Sequence, residues 1–335
     1  MAYKSTQKSI RIQDLADKLG TSASTVSRAL NDHPKISKAT KQKVLNMALK
    51  MGYKPNIPSL ISDTESKAVA LIIPNATDKY YADIVNAFKR FFEKEGCVVF
   101  VAETNYDIKK EALYFKQLEL MNIRGVAYLF HKESKSLSIL NDFIEKDFPM
   151  VFIHENHLKD KVSSVILDVY QSLSDTISHF KSYEAKRVAL LVEDTKNPIN
   201  SQVEEMFDEI LELEEFPANG KHIFHIDADN DKVQAEIKRL LSENQFDSVL
   251  CSSMKLAYLL QKLTADSQEK MLIASLSYDV FDIVASPKIS HFKLQAHEIG
   301  TKAAALLIDK LKGNHKAKSV AFFSRLVIKS SSIRV

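Results

Sequence analysis

The stretch that decides the fold of the head of this chain reads Ser22-Ala23-Ser24-Thr25-Val26-Ser27-Arg28-Ala29-Leu30-Asn31. Val26, Ala29 and Leu30 fall at i, i+3 and i+4, so they share one face of a helix and would pack inward. The opposite face carries short polar side chains and one guanidinium, from Ser24, Ser27, Arg28 and Asn31. The pattern predicts a helix whose outer face suits DNA base edges and phosphates.

The residues before this stretch predict a first helix and a tight turn. A helix over residues 12–19 would have an inner stripe of Ile12, Leu15, Ala16 and Leu19. Gly20 can adopt the positive φ of a sharp turn, and Ser22 is a natural N-cap. Two helices joined in this way form a helix-turn-helix, which places its second helix in a major groove. An ordinary amphipathic helical hairpin would show the same two faces.

Charge separates these two interpretations. Residues 1–56 contain 11 Lys and Arg against 3 Asp, a net charge of +8. The remainder contains 35 basic and 40 acidic residues, a net charge of −5, although the whole chain carries only +3. A basic segment on an acidic body is expected where one end of a protein meets phosphates, so the charge favours a DNA interface.

Composition narrows the class of protein. The chain has 335 residues, 45% of them hydrophobic, and no apolar run near the length of a membrane span. The first residues lack the apolar segment of a signal peptide, so we expect a cytoplasmic protein with Cys97 and Cys251 reduced. With 7 glycines, the sequence contains neither G-x-G-x-x-G nor a P-loop. We therefore expect no nucleotide cofactor.

Histidines and carboxylates do not predict a metal or catalytic site. His154-Glu155-Asn156-His157 lacks the H-E-x-x-H spacing, and it follows a predicted strand instead of lying on a helix. His222 and His225 would point to opposite faces of a strand. No nucleophile is paired with a base at a recognisable spacing, so we expect no enzyme.

After the helix-turn-helix, Ser37 is positioned to cap a third helix over Lys38 to Met51, which Gly52 would end. Tyr53-Lys54-Pro55-Asn56 then predicts a linker, because a proline disfavours helix at the residue before it.

Beyond residue 67, short apolar runs alternate with amphipathic helical stretches. Strands are predicted near 69–73, 98–101, 125–129 and 150–153, and in a second series near 165–167, 188–192, 223–226, 248–251 and 272–276. The intervening helices are predicted near 80–95, 107–121, 136–146, 170–182, 201–213, 231–242 and 254–263, and the tail adds a helix near 296–312 and strands near 320–322 and 326–328. This alternation predicts two α/β subdomains with parallel sheets.

These residues resemble the lac repressor-type (LacI/GalR) family of bacterial transcription regulators over nearly the whole chain. The resemblance is most specific in Asp14-Leu15-Ala16, Leu19-Gly20-Thr21-Ser22, Thr25 to Asn31 and Gly52 to Asn56. It implies a helix-turn-helix head, a hinge helix, and a periplasmic-binding-protein-like core of two doubly wound α/β subdomains that close over an effector. It also implies homodimers that bind near-palindromic operators in double-stranded DNA.

The resemblance assigns roles to individual residues of the head. Ala23, Ser24 and Arg28 would read base edges, with Arg28 offering a bidentate fork to a guanine. Phosphates would be held by Ser22, Thr25, Ser27, Asn31, Ser37, Thr40, Tyr53 and Asn56. Ser59 and Leu60 of the hinge would approach the minor groove.

The effector site departs from the family pattern. Val203-Glu204-Glu205-Met206-Phe207 stands where an Arg that contacts ligand hydroxyls is usual. The residues left for an effector are Tyr80, Tyr81, His154, Asp168, Asp279 and Gln295. We therefore hypothesise that the core binds a small molecule other than a standard free sugar, or none, and serves chiefly for dimerisation.

We expect three parts: a DNA-binding head at 1–56, a hinge at 57–67 and an effector-binding and dimerisation core at 68–335. The core would divide into an N-subdomain, about 68–165 plus 292–323, and a C-subdomain, about 166–291 plus 324–335. The expected function is sequence-specific transcription regulation, with repression favoured. The alternatives are a small-molecule receptor of periplasmic type and a regulator that has lost effector control.

Overall fold

The structure of the protein is a computed structural model. It describes residues 10–30, 33–51, 53, 68–131, 133–134, 138–154, 158, 161–193, 196–216, 223–227, 232–244, 246–266, 270–277 and 284–334. The chain divides into two compact units: the first consists of Met1–Ser66 and Lys116–Asn122, and the second of Lys67–Phe115 and Ile123–Val335.

The head is a three-helix unit. Its helices are α1 (Ile12–Leu19), α2 (Ala23–Leu30) and α3 (Lys38–Met51). The side chains buried between them are those of Leu15, Ala16, Val26, Ala29, Val44, Ala48 and Tyr53. The predicted inner faces of the three helices therefore form one small core, and the predicted helix-turn-helix is confirmed.

Local hydrogen bonds set the ends of these helices. Gly20 follows α1 at φ 63° and ψ 35°, the left-handed region that glycine adopts without strain. Ser22 accepts the backbone N–H of Thr25 at 3.1 Å, and Ser37 accepts that of Thr40 at 3.1 Å. Both predicted N-caps are therefore present.

The start of α1 is capped in a different way. Arg11 occupies the N-cap position, where its side chain, a donor only, cannot accept a backbone N–H. The carboxylate of Asp14 instead accepts the backbone N–H of Arg11 at 2.7 Å. This is one half of a capping box, and it offsets part of the missing cap.

The first sheet of the core contains six strands in the order β11-β5-β4-β3-β1-β2. Its strands are β1 (Ala68–Ile73), β2 (Val98–Glu103), β3 (Val126–Leu129), β4 (Met150–Ile153), β5 (Ser163–Asp168) and β11 (Ser319–Phe323). Every pairing in it is parallel. Strands β1, β3 and β4 are buried throughout, as the continuous apolar runs predicted.

The second sheet also contains six strands, in the order β12-β10-β9-β8-β6-β7. They are β6 (Val188–Val192), β7 (Ile223–His225), β8 (Ser248–Cys251), β9 (Leu272–Ser275), β10 (Ser290–Lys293) and β12 (Arg325–Val327). All pairings are parallel except that of β12 with β10.

Eight helices flank these sheets in the described part of the core. They are α4 (Lys79–Lys94), α5 (Ile108–Leu120), α6 (Ser138–Glu145), α7 (Tyr170–Ser182), α8 (Pro198–Leu213), α9 (Val233–Asn244), α10 (Met254–Leu263) and α11 (Ala296–Leu311). None of the described helices has the length and apolar character needed to cross a bilayer. The core is therefore the predicted pair of α/β subdomains.

Two strands differ from the sequence-based expectation. The pattern placed residues 165–167 at the start of the second series, but β5 pairs with β4 and β11 in the first sheet. Strand β10 was not predicted, because Ser290-His291-Phe292-Lys293 contains one large apolar residue. In both cases the assignment depends on backbone pairing between strands, including β11 and β12 from much later in the chain, and not on the local sequence pattern.

The chain passes between the two sheets three times. It leaves the first sheet after β5, returns between β10 and α11, and leaves it again between β11 and β12. The passages after β5 and β11 are adjacent, since Asp168 pairs with Phe323 and its carbonyl accepts the backbone N–H of Ser324 at 2.9 Å. The passage between β10 and α11 joins them through Gln295, whose side-chain amide donates to the carbonyl of Phe323.

Helices α4 and α11 approach closely at Gly300. A Cβ atom at this position would lie 2.4 Å from the carbonyl oxygen of Ile84 and 3.0 Å from Cβ of Ala87. Real Cβ atoms do not approach a carbonyl oxygen so closely, so only glycine fits without a shift of one helix.

We expect Gly300→Ala to lower the free energy of unfolding by about 1–3 kcal/mol, because it overpacks this contact. Urea denaturation of the full chain measures the change, with Lys302→Ala on the same helix as the control. At an unconstrained helix position alanine stabilises by about 1 kcal/mol relative to glycine, so a gain in stability would contradict the prediction.

Candidate DNA interface and ligand cleft

The outer face of α2 presents the side chains predicted to read bases. Arg28 and Ser24 are exposed, and Ala23 is half-buried at the first position of the helix. The guanidinium of Arg28 is the one cationic group of α2 and lies in its last turn. This face therefore offers one planar five-donor group among short side chains, an arrangement that fits the depth of a major groove.

The residues predicted to hold phosphates gather at two helix starts. The Ser22 hydroxyl oxygen lies 2.8 Å from the hydroxyl oxygens of both Ser24 and Thr25. The Ser37 hydroxyl oxygen lies 2.8 Å from that of Thr40. Helix N-termini with hydroxyl groups are favourable places for a phosphate, because the helix dipole and backbone N–H groups both attract it.

Tyr53 occupies a position different from the other predicted phosphate contacts. It is 6% exposed and packs in the core of the head, with its backbone N–H donating to the carbonyl of Ala48 at 2.8 Å. Ser27 is half-buried on α2. Five further predicted site residues lie outside the described part of the chain: Asn31, Asn56, Ser59, Leu60 and Asp279.

The core contains a cavity of about 170 Å³ between its two sheets. One wall comes from the first subdomain, through the loop and helix start that follow β1, and from Tyr106. The opposite wall comes from the segments that follow β6, β8 and β9. The cavity is lined by Asn75, Asp78, Tyr80, Tyr81, Tyr106, Glu193, Asn197, Ile199, Asn200, Ser252, Ser253, Leu276, Ser277 and Leu294.

The two tyrosines predicted for an effector site lie in this wall. Tyr80 and Tyr81 begin α4, where Asp78 accepts the backbone N–H of Tyr80 at 2.8 Å and that of Tyr81 at 3.4 Å. The Tyr81 and Tyr106 hydroxyl oxygens are 2.7 Å apart. Burial raises the pKa of Tyr80, so its hydroxyl stays protonated.

His154 supports the cavity from behind Tyr80. Its Nε2 lies 3.0 Å from the Tyr80 hydroxyl oxygen, and the two rings are tilted at a centroid distance of 5.6 Å. Desolvation lowers the pKa of His154 to about 3, so the imidazole is neutral near pH 7. It therefore acts as a neutral hydrogen-bonding group.

The neutral state of His154 predicts a pH dependence of stability. An unfolded histidine takes up a proton near pH 6.5, whereas folded His154 does so only near pH 3. Its contribution to stability is complete above pH 6.5 and is lost as the pH falls towards 3.

When the pH falls from about 7 to about 5, the free energy of unfolding should decrease in both proteins. We expect the decrease to be about 1–2 kcal/mol smaller in His154→Gln than in the wild type. Urea denaturation at both pH values tests this, with the exposed His297→Gln as the matched control. Equal pH dependence in wild type and His154→Gln would contradict it.

The remaining described effector candidates lie at the passages between the sheets and do not line the cavity. Asp168 accepts the backbone N–H of Tyr170 at 2.8 Å at the start of α7. Gln295 donates its side-chain amide to the carbonyl of Phe323 at 2.6 Å. These contacts place both side chains on the connections between the two subdomains.

Several cavity residues were missed by sequence reasoning, although a signal was present. Asn75, Glu193, Ser252 and Ser277 each follow a predicted strand within a few residues. Ligands of open α/β sheets bind beyond the carboxyl ends of the strands, so polar residues at these points are candidates by position alone.

The position of the missing Arg is filled by apolar core. Val203 and Phe207 on α8 are fully buried, and Oε1 of Glu204 lies 2.8 Å from Nε2 of His225, within hydrogen-bond distance. Within the described residues, no group of three His, Cys, Asp or Glu is arranged to hold a metal ion.

A buried polar cluster lies next to the cavity, on the far side of Tyr106. We call it the Glu111 cluster; it consists of Glu111, Tyr128, His131 and Ser134. Nε2 of His131 lies 2.7 Å from Oε1 of Glu111, and each side chain is 1% exposed. The Tyr128 hydroxyl donates to Oε2 of Glu111 and lies 2.6 Å from the Ser134 hydroxyl oxygen.

The Glu111 cluster contacts the cavity wall through an aromatic ring. The rings of Tyr106 and His131 meet edge to face, with centroids 5.3 Å apart. Nδ1 of His131 is buried and has no hydrogen-bond partner in the described structure. Burial beside the Glu111 carboxylate raises the pKa of Tyr128, which keeps its hydroxyl a donor.

Comparison with known proteins matches both units. The family model described as "Bacterial regulatory proteins, lacI family" matches residues 11–56. The model described as "Periplasmic binding proteins and sugar binding domain of LacI family" matches residues 66–322. The chain is 23% identical over 331 residues to the HTH-type transcriptional regulator DegA of Bacillus subtilis, a match that covers 96% of this chain and 97% of DegA.

Two further matches are also to repressors. The sucrose operon repressor of Lactococcus lactis is 24% identical over 311 residues, with 91% of this chain and 95% of the repressor covered. Among solved structures, the lac repressor dimer bound to operator and the anti-inducer ONPF superposes with a TM-score of 0.71 at 15% identity, covering 98% of this chain and 100% of that chain.

A helix-turn-helix head joined to a two-sheet core with a cleft defines a DNA-binding regulator with a ligand-binding body. The chain belongs to the LacI family of bacterial regulatory proteins. It is a transcription regulator and not an enzyme.

Proposed function

We propose that this chain is a repressor that binds a near-palindromic operator as a homodimer and that a small molecule in the cleft controls its affinity for DNA. The head at 1–56 would contact the operator, residues 57–67 would form the hinge, and the core at 68–335 would dimerise and bind the effector. As a repressor of bacterial genes, it would act in the cytoplasm.

The observation that carries this proposal is the outer face of α2. Exposed Arg28, with Ser24 beside it, projects from a helix whose opposite face is fixed by the buried Val26 and Ala29. The surrounding head carries a net charge of +8, which would supply the phosphate contacts that hold such a helix in register.

The first test is selection of bound duplexes from a random library by the full-length protein at near-physiological salt. Recovery of a near-palindrome with an intact central step supports a dimer with a functional hinge. Isolated half-sites would contradict the dimer, and no enrichment would contradict sequence-specific binding by the protein alone.

Strand β2 supports the proposal of a homodimer through the core. It is an edge strand of the first sheet, and Val98, Phe100 and Val101 are 50%, 43% and 37% exposed. Apolar side chains on a parallel edge strand are unfavourable in water and favour pairing with another chain. We therefore assign this surface of β2 to the contact with a second copy of the chain.

We expect Phe100→Asp to raise the dissociation constant of the dimer by roughly 30-fold or more, because each copy would bury a carboxylate against the other. Sedimentation over a range of protein concentrations measures this. The matched control is Phe323→Asp, an exposed phenylalanine on β11 at the opposite edge of the same sheet. A dimer that survives Phe100→Asp but dissociates with Phe323→Asp would overturn the assignment.

A receptor without DNA binding is the second candidate, because the cleft alone would suit it. The basic head and the match of residues 11–56 to a regulatory family favour the DNA-binding repressor over this receptor. Binding of a small molecule without enrichment of any duplex would favour the receptor.

A further inference from the structure

The charged side chains in the described lining of the cavity are all negative. Its described lining contains two carboxylates, Asp78 and Glu193, and no Lys, Arg or His. Asp78 lies at the start of α4 in the first subdomain, and Glu193 follows β6 in the second. The two negative charges therefore belong to opposite walls of the cleft.

Both carboxylate-bearing segments are held in place by hydrogen bonds. Asp78 accepts the backbone N–H groups of Tyr80 and Tyr81, which orients its carboxylate at the N-terminus of α4. The backbone N–H of Glu193 donates to the Ser252 hydroxyl at 2.9 Å, and that hydroxyl oxygen lies 3.5 Å from Oε2 of Glu193. A fixed carboxylate binds a cation with less loss of entropy than a mobile one.

The rest of the lining complements a cation that also carries hydroxyl groups. Tyr80, Tyr81 and Tyr106 contribute three aromatic residues to the lining, and an aromatic ring attracts an ammonium group placed over its face. The side chains of Asn197 and Asn200 and three serines add amide and hydroxyl groups that bind sugar-like hydroxyls. Phosphate and carboxylate groups would be repelled by Asp78 and Glu193.

The size of the cavity limits the ligand. Its volume is about 170 Å³, close to that of an engineered cavity of about 150 Å³ that accommodates benzene. A ligand of single-ring size therefore fits within it.

We propose that the cavity binds a compact polyhydroxylated amine, in its protonated form, and discriminates against phosphorylated and carboxylated molecules. This inference rests on the proposed function in that the amine would be the effector. It adds the chemical class of ligand, which follows from the two carboxylates, the three tyrosines and the absence of a cationic side chain in the described lining.

The test uses three probes with the same ring: D-glucosamine, D-glucose and D-glucose 6-phosphate. Calorimetric titration of the full chain at neutral pH and constant salt gives each affinity. We expect D-glucosamine to bind about tenfold or more tightly than D-glucose, because charge-assisted hydrogen bonds are about twice as strong as neutral ones. We expect D-glucose 6-phosphate to bind most weakly.

A substitution in the wall then assigns the preference to this cavity. Glu193→Gln removes one charge with little change of shape and should bring the affinity for D-glucosamine close to that for D-glucose. The matched control is Glu212→Gln, an exposed carboxylate on α8, which should retain the preference.

Three results would overturn the inference. They are tighter binding of the neutral or phosphorylated probe, no binding of D-glucosamine at millimolar concentration, and an unchanged preference in Glu193→Gln. Duplex binding by the same sample separates this failure from that of the proposed function, because enrichment of an operator does not depend on the class of ligand.

Discussion

Arg28→Ala should reduce the affinity of the protein for its selected operator by ~1–3 kcal/mol per half-site, or ~2–6 kcal/mol for a dimer on both. The reason is geometric: Arg28 is the one cationic group on α2, and its planar fork matches the two acceptors of a guanine. Titration of a labelled operator and of a scrambled duplex measures the loss.

The pattern of loss distinguishes base reading from phosphate binding. If Arg28 reads a base, Arg28→Ala loses affinity for the operator and little for the scrambled duplex. If Arg28 binds only phosphate, both duplexes lose affinity equally and the salt dependence becomes shallower. Equal losses would therefore contradict its assignment to a base.

Two matched variants refine this measurement. Arg28→Lys retains the charge but loses the bidentate geometry, so it should lose discrimination while retaining the affinity for the scrambled duplex. Lys18→Ala removes an exposed cation from the last turn of α1 and should weaken both duplexes alike.

Glu111→Ala should lower the free energy of unfolding by ~3–5 kcal/mol, because it removes one partner of a buried pair and leaves the other buried. The substitution deprives Nε2 of His131 and the hydroxyl of Tyr128 of their acceptor. A buried polar group without a partner carries its full cost of desolvation.

Urea denaturation measures this loss against two comparisons. Glu111→Gln preserves the shape and one acceptor, so its loss should be smaller. Lys110→Ala removes an exposed side chain from the next position of α5 and should change stability by less than ~0.5 kcal/mol. Similar values for Glu111→Ala and Lys110→Ala would mean that the cluster contributes no net stability.

The head shows which features a sequence predicts well. Capping by Ser22 and Ser37 depends on residues three positions away, and the inner faces of α1 and α2 depend on helical periodicity. Both are local properties that are expressed almost unchanged in the structure.

In the core, the sequence predicts most of the strands but not the sheet to which each of them belongs. Alternation predicts each apolar strand, but the sheet to which β5 belongs depends on hydrogen bonds with β4 and β11, which no local pattern encodes. His291 in β10 is buried, with its Nδ1 3.0 Å from the carbonyl oxygen of Ile289, so a polar sequence still forms an interior strand.

The cleft was predictable only in part for a related reason. The aromatic pair Tyr80 and Tyr81 is distinctive in sequence, whereas Asn75, Glu193 and Ser252 are ordinary residues whose convergence depends on the parallel sheets. Asp168 ends β5 and Gln295 comes two residues after β10, and both lie on the connections between the subdomains and do not line the cavity.

The three adjacent passages between the sheets limit how the core moves. Three covalent connections close to one line allow one soft rotation, a hinge-bending angle, and resist translation and twist. Asp78 and Glu193 belong to the two subdomains that such a rotation would bring together, so a cation that attracts both would favour a smaller hinge-bending angle.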